Sequence, residues 1–261
     1  MIDSHAHLAL FSPGEREELL ARARETGVGG VLVPATGPDD LEVVAEMAHV
    51  WPAGVWIALG FHPHEARHLD AAGKRRLERL LRAPGAVAIG EIGLDYHYDH
   101  SPRDEQRRAF AWQLGLAREL GLPVILHHRE AWADFLAALD AAAGIRGVAH
   151  SFTEGAGGVA EMVARGLLVG ISGMVTFPRA ENIREAAAAT PRGSLLVETD
   201  SPYLAPAPHR GKRNEPAYVR LVAEEVAKAR GVAPDELEHE TDAAFAELFH
   251  RRLAPAEGPQ R

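Results

Sequence analysis

The segment Ala86-Val87-Ala88-Ile89-Gly90-Glu91-Ile92, followed by Arg103–Leu120 and then by Pro123-Val124-Ile125-Leu126-His127, sets the fold class of this chain. The outer two segments are short, aliphatic and β-branched, as strands buried on both faces are. The middle one is longer and amphipathic, which is the pattern of a helix. Strand, helix and strand in that order form one βα unit and imply parallel strands. Working outward, the same alternation gives eight candidate strands: Ile2–His5, Val28–Pro34, Val55–Gly60, Ala86–Ile92, Pro123–His127, Gly147–His150, Leu167–Ile171 and Leu195–Thr199. Trp132–Ala143 reads as a further helix between two of them. Eight such units predict an α/β fold closed as a (β/α)8 TIM-type barrel. An open doubly wound sheet is the rival, but no Gly-x-Gly-x-x-Gly follows the first strand. Beyond the eighth strand, Ser201–Pro208 is a proline-rich loop, Pro216–Arg230 a closing helix and Pro234–Arg251 an extra C-terminal helix. Residues 1–254 are expected to form a single domain and residues 255–261 a disordered tail.

Composition narrows the class. The 261 residues are 46% hydrophobic and 25% charged, ordinary values for a chain with a sizeable core. No apolar run approaches the roughly 18 residues that span a bilayer, and the first strand leaves no room for a signal peptide, so a cytoplasmic protein without membrane contact is expected. With no cysteine, disulfides and thiolate metal sites are excluded, and any metal must be held by nitrogen and oxygen. The net charge of −9 argues against a broad nucleic-acid footprint but not against capture of one strand end.

Chemistry-bearing residues gather at one place in this pattern. In Ile2-Asp3-Ser4-His5-Ala6-His7, the two-residue period of a strand puts both imidazoles on one face, where they suit a single divalent ion. The third strand runs into His62-Pro63-His64 and the fourth ends in Glu91-Ile92-Gly93-Leu94-Asp95-Tyr96. The fifth ends in His127-His128-Arg129-Glu130, the sixth in His150-Ser151, the eighth in Glu198-Thr199-Asp200-Ser201-Pro202-Tyr203. The C-terminal rim of a barrel is where active sites form. Taken singly, each residue also has a structural reading: Glu91 as a paired carboxylate, His127 or His150 as a core histidine, Asp200 as a turn residue before Pro202. Six sets converging on one rim favour a metal centre.

Those motifs resemble the TatD-like metal-dependent hydrolases, a deoxyribonuclease family within the amidohydrolase-type barrels. The resemblance covers nearly the whole chain, from Asp3-Ser4-His5-Ala6-His7 through Gly60-Phe61-His62-Pro63, Gly90-Glu91-Ile92-Gly93-Leu94-Asp95-Tyr96, Gln113-Leu114, Leu122-Pro123-Val124, His127-x-Arg129-x-Ala131 and Glu198-Thr199-Asp200-Ser201-Pro202 to Arg210-Gly211-Lys212-Arg213-Asn214-Glu215-Pro216. It departs at His128, where relatives often have a small residue, with substrate fit as the expected consequence, and at Thr241-Asp242, expected at a helix start. The resemblance implies a binuclear site, with His5, His7 and Asp200 on one ion, His127 and His150 on the other, and Glu91 bridging. Two cations about 3.5–4 Å apart require a shared anionic ligand. A carbamylated lysine is excluded as that ligand, because Lys74, Lys212 and Lys228 are the only lysines and none lies at a predicted strand end. Zinc, manganese and, less well, magnesium suit this donor set.

The resemblance further implies a 3′-to-5′ deoxyribonuclease acting on single-stranded DNA ends. Glu91 and Asp200 are its catalytic carboxylates, Asp200 orienting the attacking water or accepting its proton. His62, His64, Arg129, Arg210 and Tyr203 are the candidate substrate contacts, Arg129 offering a bidentate fork and Tyr203 a stacking face. Their structural readings stay open: His62 and His64 around Pro63, Arg129 in an ion pair with Glu130 or Glu154, Tyr203 as a packed rim residue. A D-aminoacyl-tRNA deacylase and a small-molecule amide or lactone hydrolase are alternatives on the same ions, and a metal-binding scaffold comes last. The oligomeric state is left open, with a monomer the simplest expectation.

Overall fold

A computed structural model describes residues 1–51, 53–251 and 253; the tail expected over 255–261 lies outside the described residues. Eight parallel strands form one sheet in sequence order: β1 (Ile2–Asp3), β2 (Gly30–Pro34), β3 (Val55–Leu59), β4 (Ala86–Asp95), β5 (Val124–Arg129), β6 (Gly147–Ala149), β7 (Leu167–Ile171) and β8 (Leu195–Val197). Helices α1 (Pro13–Glu25), α2 (Leu41–Val50), α3 (Ala71–Arg82), α4 (Arg103–Leu120), α5 (Trp132–Ala141), α6 (Gly155–Ala164), α7 (Glu181–Ala189) and α8 (Val219–Arg230) alternate with them, and α9 (Pro234–Phe249) is the extra C-terminal helix. The TIM-type barrel read from the sequence is therefore the fold. Among the described residues, no helix is long and apolar enough to cross a membrane.

The first and last strands meet at a seam rather than a regular ladder. Ser4 N–H donates to Val197 O (3.1 Å), Asp200 N–H to His5 O (2.9 Å) and His7 N–H to Ser201 O (2.8 Å). Asp3 reinforces the seam by accepting from Thr199 N–H (2.9 Å) and Thr199 Oγ1–H (2.6 Å). Burial pushes the Asp3 carboxyl up to about 8 against the pull of these donors.

Strand periodicity divides the barrel interior along its axis. Ile125, Val148 and Leu196 belong to an inner apolar cluster that α9 caps with Phe245, Leu248 and Phe249; Trp56 and Phe245 rings lie 5.0 Å apart. Two residues further along the same strands come His127, His150 and Glu198. One face of a strand thus turns from apolar at the α9 end to ionisable at the other.

The differences from the sequence reading lie at element ends. β1 leaves the ladder at Asp3, β4 continues to Asp95 and β5 to Arg129. The closing helix begins as a 3-10 turn over Pro216–Tyr218. The extra helix stops at Phe249 because His250 takes a left-handed φ of 53°. Helix α4 buries Gln106, Ala109, Phe110, Gln113, Leu114 and Ala117, a three-and-four spacing that lays one face on the sheet, and Gly121 closes it at φ 67°.

Candidate metal centre

A bulge in β4 aims the central carboxylate. Ile89 pairs with Val124 and Ile92 with Leu126, so three steps along β4 match two along β5. Ile89 and Ile92 both pack in the outer layer beneath the helices. Strict alternation from Ile89 would have turned Glu91 outward; the extra residue turns it into the barrel. Close packing at this level demands glycine: a Cβ on Gly90 would lie 2.6 Å from Ile125 Cβ, and one on Gly170 would lie 2.5 Å from Glu198 Oε2.

The two oxygens of Glu91 face different groups of histidines. Oε1 lies 2.9 Å from His127 Nδ1, 2.9 Å from His150 Nε2 and 3.5 Å from His62 Nε2. Oε2 lies 3.3 Å from His5 Nε2 and 3.5 Å from His7 Nε2. On that second side Asp200 Oδ1 is 3.3 Å from His7 Nε2 and 3.8 Å from His5 Nε2, and the two Nε2 atoms are 3.2 Å apart. Asp200 takes a φ of 59°, a left-handed conformation that Asp tolerates better than most residues. All of these groups but His127 are buried or nearly so.

This arrangement fits divalent cations. Nitrogen and oxygen donors bind such ions at about 2.0–2.2 Å, which sets neighbouring donor atoms roughly 3.0–3.6 Å apart around one ion. The donor separations around each Glu91 oxygen lie in or close to that range. The rings at the seam are fixed by packing: His5 stacks on His150 at 4.0 Å, and neither His5 Nδ1 nor His7 Nδ1 has a hydrogen-bond partner among the described residues. His127 is held differently, with its Nε2 3.3 Å from Asp95 Oδ2.

Within the chain itself these charges answer one another. Burial works against the Glu91 carboxylate, but His150, His62, His5 and His127 outweigh it and hold the carboxyl well below its usual range. Burial likewise opposes a charge on His150, and Glu91 and Glu198 raise it well above the usual imidazole value. Burial opposes charge on His7 as well, yet Asp200 and Glu91 leave it raised. His62 is the contrast: burial wins and pushes its imidazole down to about 3.

The remaining residues singled out from the sequence lie around this cluster. His64 stands one step out, its Nε2 3.0 Å from Asp95 Oδ2. Arg129 is exposed with its guanidinium 4.7 Å from the centre of the Tyr98 ring. The ion pairs considered for it are taken up elsewhere, since Glu130 binds His97 (2.7 Å) and Glu154 lies 3.6 Å from His128. Tyr203 is exposed with its ring 6.1 Å from that of His7. Arg210 is also exposed, but its guanidinium lies over Phe177 (4.2 Å) in the β7 loop. His128, expected to bear on substrate fit, meets the Trp132 (5.1 Å) and Phe135 (5.2 Å) rings, and burial pushes it down to about 4. Thr241-Asp242 sits inside α9 rather than at a helix start.

Four supporting residues escaped the sequence reading as site residues. Glu198 accepts from Ser151 N–H (2.6 Å) and lies 3.3 Å from His150 Nδ1, too poorly aligned for a hydrogen bond. Asp95 accepts from the N–H groups of His97 and Tyr98, both at 3.0 Å. Gln106 clips the end of β4 through Asp95 N–H (2.8 Å) and Asp95 O (2.9 Å), and Gln113 does the same at Phe61 N–H (2.8 Å) and Phe61 O (3.0 Å). Amide side chains at core positions of an amphipathic helix were the available signal.

Comparison with known proteins decides the family. The model of the TatD related DNase family matches residues 2–250. The chain belongs to the TatD family. It is 40% identical over 260 residues to an Escherichia coli K12 protein described as the uncharacterized metal-dependent hydrolase YcfH, covering 96% of each chain. It is 41% identical over 249 residues to the 3′-5′ ssDNA/RNA exonuclease TatD of Cronobacter sakazakii, covering 93% of this chain and 94% of the relative. The crystal structure of YJJV, a TatD homologue from Escherichia coli K12, superposes with a TM-score of 0.90 at 31% identity, covering 96% of this chain and 98% of that one. This TatD-family chain is accordingly a metal-dependent hydrolase acting on ester bonds.

Proposed function

We propose that this TatD-family protein is a 3′-to-5′ exonuclease that cleaves phosphodiester bonds of single-stranded DNA at a binuclear centre. The observation that carries the reading is the division of Glu91, one oxygen toward His127 and His150, the other toward His5 and His7. His5, His7 and Asp200 hold one cation, His127 and His150 the other, and Glu91 joins them. Zinc, manganese and magnesium are the candidate ions. Divalent cations there supply Lewis-acid polarisation of the phosphoryl oxygens and acidify the attacking water.

The side chains do the rest. Asp200, facing His7 at the edge of the cluster, orients the attacking water and takes up its proton. His62 and His64 border the same cluster as hydrogen-bonding contacts to the phosphate. Arg129 and Arg210 present guanidinium groups at the rim to the substrate strand, and Tyr203 presents a ring beside His7. The nucleic-acid substrate draws support from the relatives named ssDNA/RNA exonucleases and from this cationic and aromatic rim. We place the activity in the cytoplasm, with which relatives named ssDNA/RNA exonucleases are consistent.

The test is a gel assay of chelator-stripped protein on a 5′-labelled single-stranded oligonucleotide, with magnesium, manganese or zinc restored in turn. A metal-dependent ladder shortening from the 3′ end is expected. Intact oligonucleotide with every ion, in protein shown to hold metal, overturns the nuclease reading in favour of an aminoacyl-tRNA ester or a small-molecule substrate.

A further inference from the structure

Among the described residues, two large aromatic side chains are left exposed, Tyr203 (54%) and Tyr98 (51%), and both stand on loops at the C-terminal face of the barrel. Tyr203 follows the ligand-bearing end of β8. Tyr98 lies across the mouth, in the loop after β4, where no motif drew attention to it. An exposed ring beside a site for a polymer with flat bases is a stacking surface in waiting.

The setting of Tyr98 is more organised than exposure alone requires. Its backbone N–H donates to Asp95 Oδ1 (3.0 Å), and the other oxygen of that carboxylate lies 3.3 Å from His127 Nε2 and 3.0 Å from His64 Nε2. One carboxylate therefore fixes the Tyr98 loop in register with the cluster around Glu91. The edge of the ring is set by His64, at 5.5 Å and 89°. His100 lies parallel to it at 5.5 Å and 3°, and the Arg129 guanidinium sits 4.7 Å from its centre. The loop is further tied down by Arg67, which donates to His100 O, and by Ser101 Oγ–H, which donates to His64 O (2.7 Å). Flat groups and a cation thus gather beside the mouth, the combination by which proteins hold single strands without reading sequence.

We infer that Tyr98, with Arg129 and His100, forms a stacking subsite for a nucleobase next to the scissile phosphate. The inference rests on the nuclease reading and adds to it where the base goes. A base inside a duplex has no free face to offer, so the subsite favours single strands. Every base has a π-face, so the subsite is tolerant of sequence and sensitive to the absence of a base.

The experiment pairs Tyr98→Ala with abasic substrates. The intact oligonucleotide is compared with versions in which a tetrahydrofuran abasic unit replaces each of the last three nucleotides in turn, with kcat and KM measured at fixed metal. For the wild type, one of these positions is expected to lower kcat/KM by roughly 10-fold or more, mainly through KM. Tyr98→Ala lowers kcat/KM on the intact oligonucleotide by a similar factor and shows little further loss at that abasic position. Tyr98→Phe, which keeps the ring, restores the wild-type pattern and separates stacking from any role of the hydroxyl. Wild-type kinetics for Tyr98→Ala, or an abasic penalty that persists in it undiminished, overturns the subsite while leaving the nuclease reading standing. A wild-type protein that cuts no oligonucleotide overturns both.

Discussion

At the α9 end of the barrel, Ile125, Val148 and Leu196 cluster with Phe245 and Phe249; two residues further along the same strands, His127 and His150 meet Glu91, and Glu198 meets His150. The first end gains from burying apolar surface. The second gathers buried ionisable groups whose desolvation works against folding and whose charges only partly compensate. Stability and chemistry are therefore separated along the barrel axis, as expected where the bottom of a (β/α)8 barrel holds the fold and the top carries the reaction.

Three substitutions test that separation. Glu91→Gln keeps the shape of the side chain and removes the anion that we propose the two cations share; turnover is expected to fall by on the order of 10³-fold or more, with bound metal reduced, while circular dichroism still reports a folded barrel. Metal analysis alongside the rate is decisive, and a variant that kept two ions and near-normal turnover would remove Glu91 from the centre. Phe245→Ala, at the opposite end, is expected to cost about 3–5 kcal/mol in urea unfolding with kcat per folded molecule unchanged. Loss of metal from that variant under native conditions would show the two ends to be coupled. Asp95→Asn gives the smallest change: an amide presents N–H donors toward His127 Nε2, favours the tautomer with its proton on Nδ1, and so weakens metal affinity about 10–100-fold. Competition with a chelating dye measures it, and unchanged affinity would leave Asp95 as a support of the Tyr98 loop alone.

The comparison also shows which parts of the molecule were legible beforehand. Alternation of strands and helices carries the fold in local sequence, and α4 matches its expected limits because its helical spacing and closing Gly121 are local signals. The residues gathered around Glu91 were legible because barrel strands end together on one rim. The aim of Glu91 was not, since it depends on a register shift between β4 and β5 that neither strand encodes alone. Glu198, Asp95, Gln106 and Gln113 escaped for a related reason: their partners lie on other segments, and a strand period of two or a helical spacing of three and four gives a side without a partner. The seam between β1 and β8 likewise joins residues nearly two hundred positions apart.

That seam governs when the protein acquires its chemistry. Asp200, which faces His5 across the seam, is made 195 residues after it. At typical synthesis rates of about 5–20 residues per second, the interval is roughly 10–40 s. Throughout it the nascent chain holds His5 and His7 without Asp200 and cannot close the barrel around them. A product that stops short of the last strand therefore lacks Asp200, and the cluster around Glu91 is complete only once the segment after β8 has been made.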